Sequence, residues 1–226
     1  MPRVLILNPN TTAAVTDKVV THAAPWLQDC QIVAATAAFG APYISTEASY
    51  AIAGHAALDA FEKHGSGCAA TLIACFGDPG IFALREVSAT PVIGLAEAAM
   101  RAAQVHGRYA IVTGGAAWQP MLQRLAQALG LDHQLVAIRT IALTGAEIAA
   151  DPEYAQRFLA AECQRAVNEN GAQAVILGGA GLAGLASQFA PQVAVPLIDS
   201  VVAGAQALAT LAALATRSES RTKSTR

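Results

Sequence analysis

Three segments of this 226-residue chain recur at an offset of about 105 residues. The run opening at Val4 aligns with the run opening at Ala110, Ile73-Ala74-Cys75 with Leu177-Gly178-Gly179, and the stretch from Pro91 with the stretch from Pro196. Any α/β chain alternates strand, glycine and helix, yet three agreeing offsets go beyond that alternation. They imply an internal duplication: two similar lobes related by a pseudo-twofold axis, with the carboxyl ends of both sheets turned toward one cleft. Eight short apolar runs, at 3–7, 31–35, 70–74, 92–93, 109–113, 134–139, 174–177 and 195–198, read as strands separated by alanine-rich helical stretches. The expected fold class is therefore α/β, as two Rossmann-like lobes with parallel sheets and the active site in the cleft between them. Lobe one is expected over residues 1–97 and lobe two over 98–216, with a last helix that crosses back. Residues 217–226, polar and aperiodic, read as a disordered tail.

Composition narrows the function. Hydrophobic residues make up 54% of the chain and charged ones 13%, but alanine dominates and no apolar run reaches the roughly 20 residues of a membrane span. The stretch 201–215 comes nearest and reads as a buried or subunit-facing helix, so no membrane partner is expected, whereas a homo-oligomer is. A net charge of −2 offers no basic face to nucleic acid. The chain enters a strand at once, without the apolar core or cleavage site of a secretory signal. A cytoplasmic protein follows, with its four cysteines reduced.

Candidate chemistry gathers at the strand ends. Cys75 closes the apolar run 71–74 and opens the loop Phe76-Gly77-Asp78-Pro79-Gly80. A lone cysteine usually fills a core, but Cys30, Cys68 and Cys163 lie in or beside apolar segments, and Cys75 alone meets glycines. At such a junction free amides and a helix dipole favour a thiolate. Asp78 reads mainly as a turn residue. In the other half, Gly178-Gly179-Ala180-Gly181 reads either as close helix–strand packing or as a cradle of amides for an anionic intermediate. Thr113 and Gly114, after the symmetry-related strand, invite the same two readings. Asn8 and Asn10 follow the first strand, where they cap the next helix and also project into the cleft as neutral donors. Tyr43, in the loop before the helix starting near Glu47, is the side chain most expected inside the pocket, with Phe76 and Trp118 setting its volume.

Other chemistries lack their residues. The five histidines are scattered, and no pair of cysteines, histidines or carboxylates has metal-ligand spacing. The glycines of 178–181 do not match a dinucleotide fingerprint. None of the three lysines, Lys18, Lys63 and Lys223, ends a strand, which argues against a Schiff-base cofactor. No cofactor is expected.

The opening run from Val4 to Thr12, Cys75-Phe76-Gly77-Asp78-Pro79-Gly80, the 177–181 loop and the run 195–199 resemble the aspartate/glutamate/hydantoin racemase superfamily, especially its hydantoin and allantoin racemase branch. The resemblance covers nearly the whole chain, through about residue 209. It implies a cofactor-independent site between two lobes, with two cysteines on opposite faces of the substrate's α-carbon. The family pattern Leu-Gly-Cys-Ala-Gly places the second cysteine at Gly179, where this chain carries no sulfur. The leading expectation is an isomerase acting at the α-carbon of a hydantoin, allantoin or amino-acid-like substrate, a small carboxylate or cyclic amide, through Cys75. The alternatives are a one-cysteine decarboxylase of substituted malonates and a ligand-binding homologue without turnover.

Overall fold

The computed structural model describes residues 1–142 and 151–224. Its strands are β1 (Arg3–Asn8), β2 (Gln31–Thr36), β3 (Ala70–Ile73), β4 (Val92–Gly94), β5 (Tyr109–Gly114), β6 (Leu135–Ile141), β7 (Ala174–Gly178) and β8 (Leu197–Asp199). The helices among the described residues are α1 (Ala13–Ala23), α2 (Glu47–His64), α3 (Ile81–Val87), α4 (Leu95–Gln104), α5 (Trp118–Ala128), α6 (Pro152–Asn170), α7 (Ala186–Phe189) and α8 (Ser200–Ser224). The strands form two four-stranded parallel sheets with orders β2-β1-β3-β4 and β6-β5-β7-β8. One order is the other shifted by four strands, which is the duplication in topological form.

The registers fix equivalent positions. Ile73 pairs with Leu7 and with Gly94, and Leu177 pairs with Val112 and with Asp199. Two residues further along each central strand stand Cys75 and Gly179, and one residue beyond Leu7 and Val112 stand Asn8 and Thr113. All four therefore issue from carboxyl strand ends, where an open parallel sheet presents its loops to a cleft.

Both central strands are buried on both faces because helices cover both. Alternation along β5 and β7 sends Tyr109, Ile111, Ala174 and Ile176 into a core shared with lobe one. Ala110, Val112, Val175 and Leu177 face a separate core under α6 and α7. The lobes are joined by an exchange of helices: α4 packs on β7, and α8 packs on β3 and against α4. The lobe boundary expected at 97/98 thus falls inside α4. By length and composition 200–217 would cross a membrane, but Val201, Ala205, Leu208 and Ala212 are wholly buried against this shared core. Residues 217–224, expected as a disordered tail, instead continue α8. They contain neither glycine nor proline, so no residue there stops the helix; the last two residues of that tail lie outside the described ones.

Candidate functional site

Between the two sets of strand ends lies a cavity of about 220 Å³. Lobe one lines it with Asn10, Val15, Tyr43, Ile44, Ala74, Cys75 and Phe76, and lobe two with Thr113, Gly114, Trp118, Ile141 and 178–182. Eleven residues expected there from the sequence, Asn10, Tyr43, Cys75, Phe76, Thr113, Gly114, Trp118, Gly178, Gly179, Ala180 and Gly181, are brought together. The pocket is assembled by interpenetration of the lobes. The ring of Phe76 lies where a side chain at Gly178 would be: an ideal Cβ there would stand 2.2 Å from Phe76 Cε1. In return Trp118 of lobe two covers Gly77 of lobe one, whose ideal Cβ would stand 2.2 Å from Trp118 Cζ3. Tyr50 braces this contact, donating its hydroxyl to the Gly77 carbonyl at 2.8 Å and meeting Trp118 edge-on at 6.1 Å between ring centroids.

Two expected substrate-binding residues lie elsewhere. Asn8 is fully buried, and its amide is consumed by the turn it closes: Nδ2 donates to Asn10 Oδ1 (3.0 Å), the Thr12 carbonyl (3.2 Å) and Thr16 Oγ1 (3.0 Å), while Oδ1 accepts from Asn10 N–H (3.1 Å). A short amide at the last residue of a strand reaches its own backbone before it reaches a cleft. Asn10 does line the cavity, with Oδ1 held by Asn8 and by the Thr12 amide. Its Nδ2 has no protein acceptor among the described residues. Gly77 lies under Trp118 and gives its carbonyl to Tyr50, so it supports the wall without lining it.

The thiolate expectation is also corrected. Cys75 is 8% exposed, and burial, then the nearby Asp78, hold its thiol well above the ordinary range. Asp78 itself is held by the start of the neighbouring helix α4. Asp78, fully buried with φ of 53°, accepts from Ala96 N–H (2.9 Å) and Glu97 N–H (2.8 Å) at the start of α4. Burial pushes its carboxyl up to about 7 against the pull of those two bonds. The carboxylate fits because Gly94 has no side chain; an ideal Cβ there would stand 2.0 Å from Asp78 Cγ. In lobe two the equivalent of Gly94 is Asp199, which caps α8 itself through Val201 N–H (2.8 Å) and binds Gly184 N–H (2.8 Å). Asp78 is thus a cap reached from across the loop. Replacing it with alanine orphans two buried amides, and urea unfolding should register a loss of about 2–4 kcal/mol.

The glycine loop of lobe two is pinned from three sides: Ser200 Oγ accepts the Gly179 amide at 3.2 Å, Lys18 of α1 donates to the Gly181 carbonyl at 2.5 Å, and Asp199 holds Gly184. The Gly179 amide is thus no part of a cradle. The amides of Cys75 and Phe76 on one wall, and of Ala180 and Gly181 on the other, have no protein acceptor among the described residues. Gly179 has φ of 145°, a conformation L residues rarely adopt, although an ideal Cβ there would meet nothing nearer than Leu182 Cγ at 3.4 Å. A side chain there has room but strains the backbone, at a cost of about 1–3 kcal/mol.

Sequence reasoning missed Val15, Ile44, Ala74, Ile141 and Leu182 as lining residues, and Tyr50 and Ser200 as supports. Ile141 was findable, as the far end of a strand beside β5. Val15 and Tyr50 were not, because which helix face meets the other lobe depends on how the lobes dock.

The geometry agrees with known proteins. The Asp/Glu/Hydantoin racemase family model matches residues 4–208. Hydantoin racemase from Pseudomonas sp. (strain NS671) is 35% identical over 206 residues, covering 89% of this chain and 82% of its own. Allantoin racemase from Klebsiella pneumoniae superposes with a TM-score of 0.86 at 33% identity, over 95% of this chain and 89% of that one. Allantoin racemase from Pseudomonas fluorescens superposes at 0.89 with 28% identity, over 94% and 91%.

Proposed function

Because the chain belongs to the Asp/Glu/hydantoin racemase family, we propose that it is a cofactor-independent isomerase acting on the acidic ring carbon of a hydantoin- or allantoin-like cyclic ureide, with Cys75 as its thiol acid/base. The observation that carries this reading is one thiol opening onto a small, largely apolar cavity with no basic side chain among its lining residues. A neutral ring enters such a cavity without a counter-ion, whereas a dicarboxylate would have to leave water with no cation to meet it. The names of the relatives support the same substrate class.

The chemistry follows from the groups present. The Cys75 thiolate takes the ring-carbon proton, and the C–H electron pair moves onto the adjacent carbonyl oxygen. That charge is met by Asn10 Nδ2 and by the amides of the two walls, donors already in place before the charge develops. The resting thiol must first ionise, and its pKa stands above the ordinary value of about 8.5. Proton exchange should therefore rise with pH by about tenfold per unit through neutrality, without levelling below pH 9. A kcat/KM profile for exchange checks this.

A second reading has its own observation. A thiol held protonated at rest is poised to give a proton, and a decarboxylation of a substituted malonate needs one proton delivered to one face after CO2 leaves. Its rate would be flat through neutrality and fall only in alkali. A substrate panel separates the readings. Enantiopure 5-alkyl hydantoins and allantoin should turn over while arylmalonates are left untouched. CO2 release from the malonates with no change in the rings would transfer the function to decarboxylation, and binding of the rings without turnover would leave a ligand-binding protein.

A further inference from the structure

Racemisation needs a proton carrier on each face of the planar intermediate, and the position symmetric to Cys75 is Gly179, which carries nothing. Among the described residues lining the cavity, the side chains with an O–H or S–H are Cys75, Tyr43 and Thr113. The phenol, with an ordinary pKa near 10, is a far stronger acid than the threonine hydroxyl. Tyr43 comes from lobe one but reaches the opposite wall: its hydroxyl lies 3.8 Å from the ideal Cβ position of Gly115, just past the end of β5 and beside Trp118. Cys75 stands two residues past β3 on the other wall, and burial, then Cys75 across the cavity, raises the Tyr43 phenol above its ordinary value.

The stub that carries Tyr43 is fixed on both sides. The Pro42 carbonyl accepts from Thr12 Oγ1 at 2.8 Å, the Ala41 carbonyl accepts from Thr11 N–H at 3.2 Å, and Ile44 is buried. The Ser45 amide donates to Ser49 Oγ at 3.0 Å, at the start of the capped helix α2. An aromatic side chain that is 62% exposed is thus held on a rigid base with its hydroxyl turned into the cleft. That hydroxyl accepts from the Trp118 indole N–H, which holds the oxygen in place and leaves its own proton free for the cleft.

Resting on the isomerase reading above, we infer that Tyr43 is the second catalytic acid/base, serving from the lobe-two wall the face of the substrate that Cys75 does not reach. In one direction the Cys75 thiolate takes the ring-carbon proton, the carbonyl oxygen holds the electron pair, and the pair returns to carbon to form a new C–H bond with the proton of Tyr43. The enzyme is left with a thiol and a phenolate. That pair is ready for the opposite enantiomer, from which the phenolate takes the proton and the thiol returns one. Protons balance over the two directions with no co-reactant.

The test separates exchange from inversion. Wild type and Tyr43→Phe are incubated in heavy water with each enantiomer of a 5-alkyl hydantoin, following deuterium at the ring carbon by NMR and inversion by optical rotation. Phenylalanine keeps the ring on an exposed site, so the variant folds. The expected result is that wild type exchanges and inverts both enantiomers. Tyr43→Phe should lose inversion by about 10²-fold or more, while one enantiomer, the one presenting its proton to Cys75, still exchanges with retention. Inversion by Tyr43→Phe at the wild-type rate would overturn the assignment, as would exchange by wild type with rotation retained. A wild type that neither exchanges nor inverts the rings would instead remove the isomerase reading beneath it.

Discussion

Cys75→Ala is expected to lower turnover of a cyclic ureide by about 10³-fold while leaving its binding within a few-fold of wild type. The sulfur is the one group placed to carry a proton from the lobe-one wall, and the donors that would hold the ring, Asn10 Nδ2 and the four free amides, do not depend on it. Removing one buried sulfur leaves a cavity of atomic size, so thermal unfolding should show a loss of only about 1 kcal/mol. The signature is a collapse in kcat with KM little changed. A comparable rise in KM with kcat little changed would mean that the sulfur shapes the pocket and does not do its chemistry.

The second large effect is expected at a residue that touches no proton. Gly178→Ala puts a methyl where Phe76 already lies, with its ideal Cβ 2.2 Å, 2.3 Å and 2.6 Å from three ring atoms. Phe76 is 4% exposed and has no room to retreat within lobe one. The ring must swing toward the cavity or the lobes must part, and either movement displaces the neighbouring Cys75. A stability loss of about 1–3 kcal/mol should accompany a loss of activity of about 10²-fold. The contact can be tested by a double-mutant cycle. Phe76→Ala removes the obstacle, so adding Gly178→Ala to it should cost much less than alone, with a coupling of about 1–3 kcal/mol. Strictly additive losses would show that the two walls do not meet through this pair.

The duplication made the architecture legible before any coordinates. Eight apolar runs gave the eight strands to within a residue or two at most ends, and the agreeing offsets gave two sheets of equal order. The helix exchange was legible only in part. A returning last helix was expected, but the matching passage of α4 onto β7 is set by tertiary packing of alanine faces that look alike in sequence. At the site, strand ends pointed to Cys75, Thr113 and the glycine loop because parallel topology dictates where strand ends go. Side-chain direction was not dictated. Asn8 and Asn10 read alike in the sequence, yet one closes the turn and the other faces the cavity. Asp78 looked like a turn residue, and its role as the cap of α4 depends on Gly94, 16 residues away in the sequence and beside it in space. The thiolate expectation failed for the same reason, since burial of the sulfur and the Asp78 carboxylate beside it, neither recorded in a local pattern, outweigh the free amides at the strand end.

The central claim is that this cleft moves a proton on carbon through Cys75. The most direct test is one NMR experiment in heavy water, with wild type and Cys75→Ala side by side on the enantiomer of a 5-alkyl hydantoin that Tyr43→Phe still exchanges, recording the ring-carbon proton against a protein-free blank. The account predicts loss of that signal with wild type and a return to the blank rate with the variant. A signal that persists with folded, ring-binding wild type, or one that disappears as fast with Cys75→Ala, would contradict it.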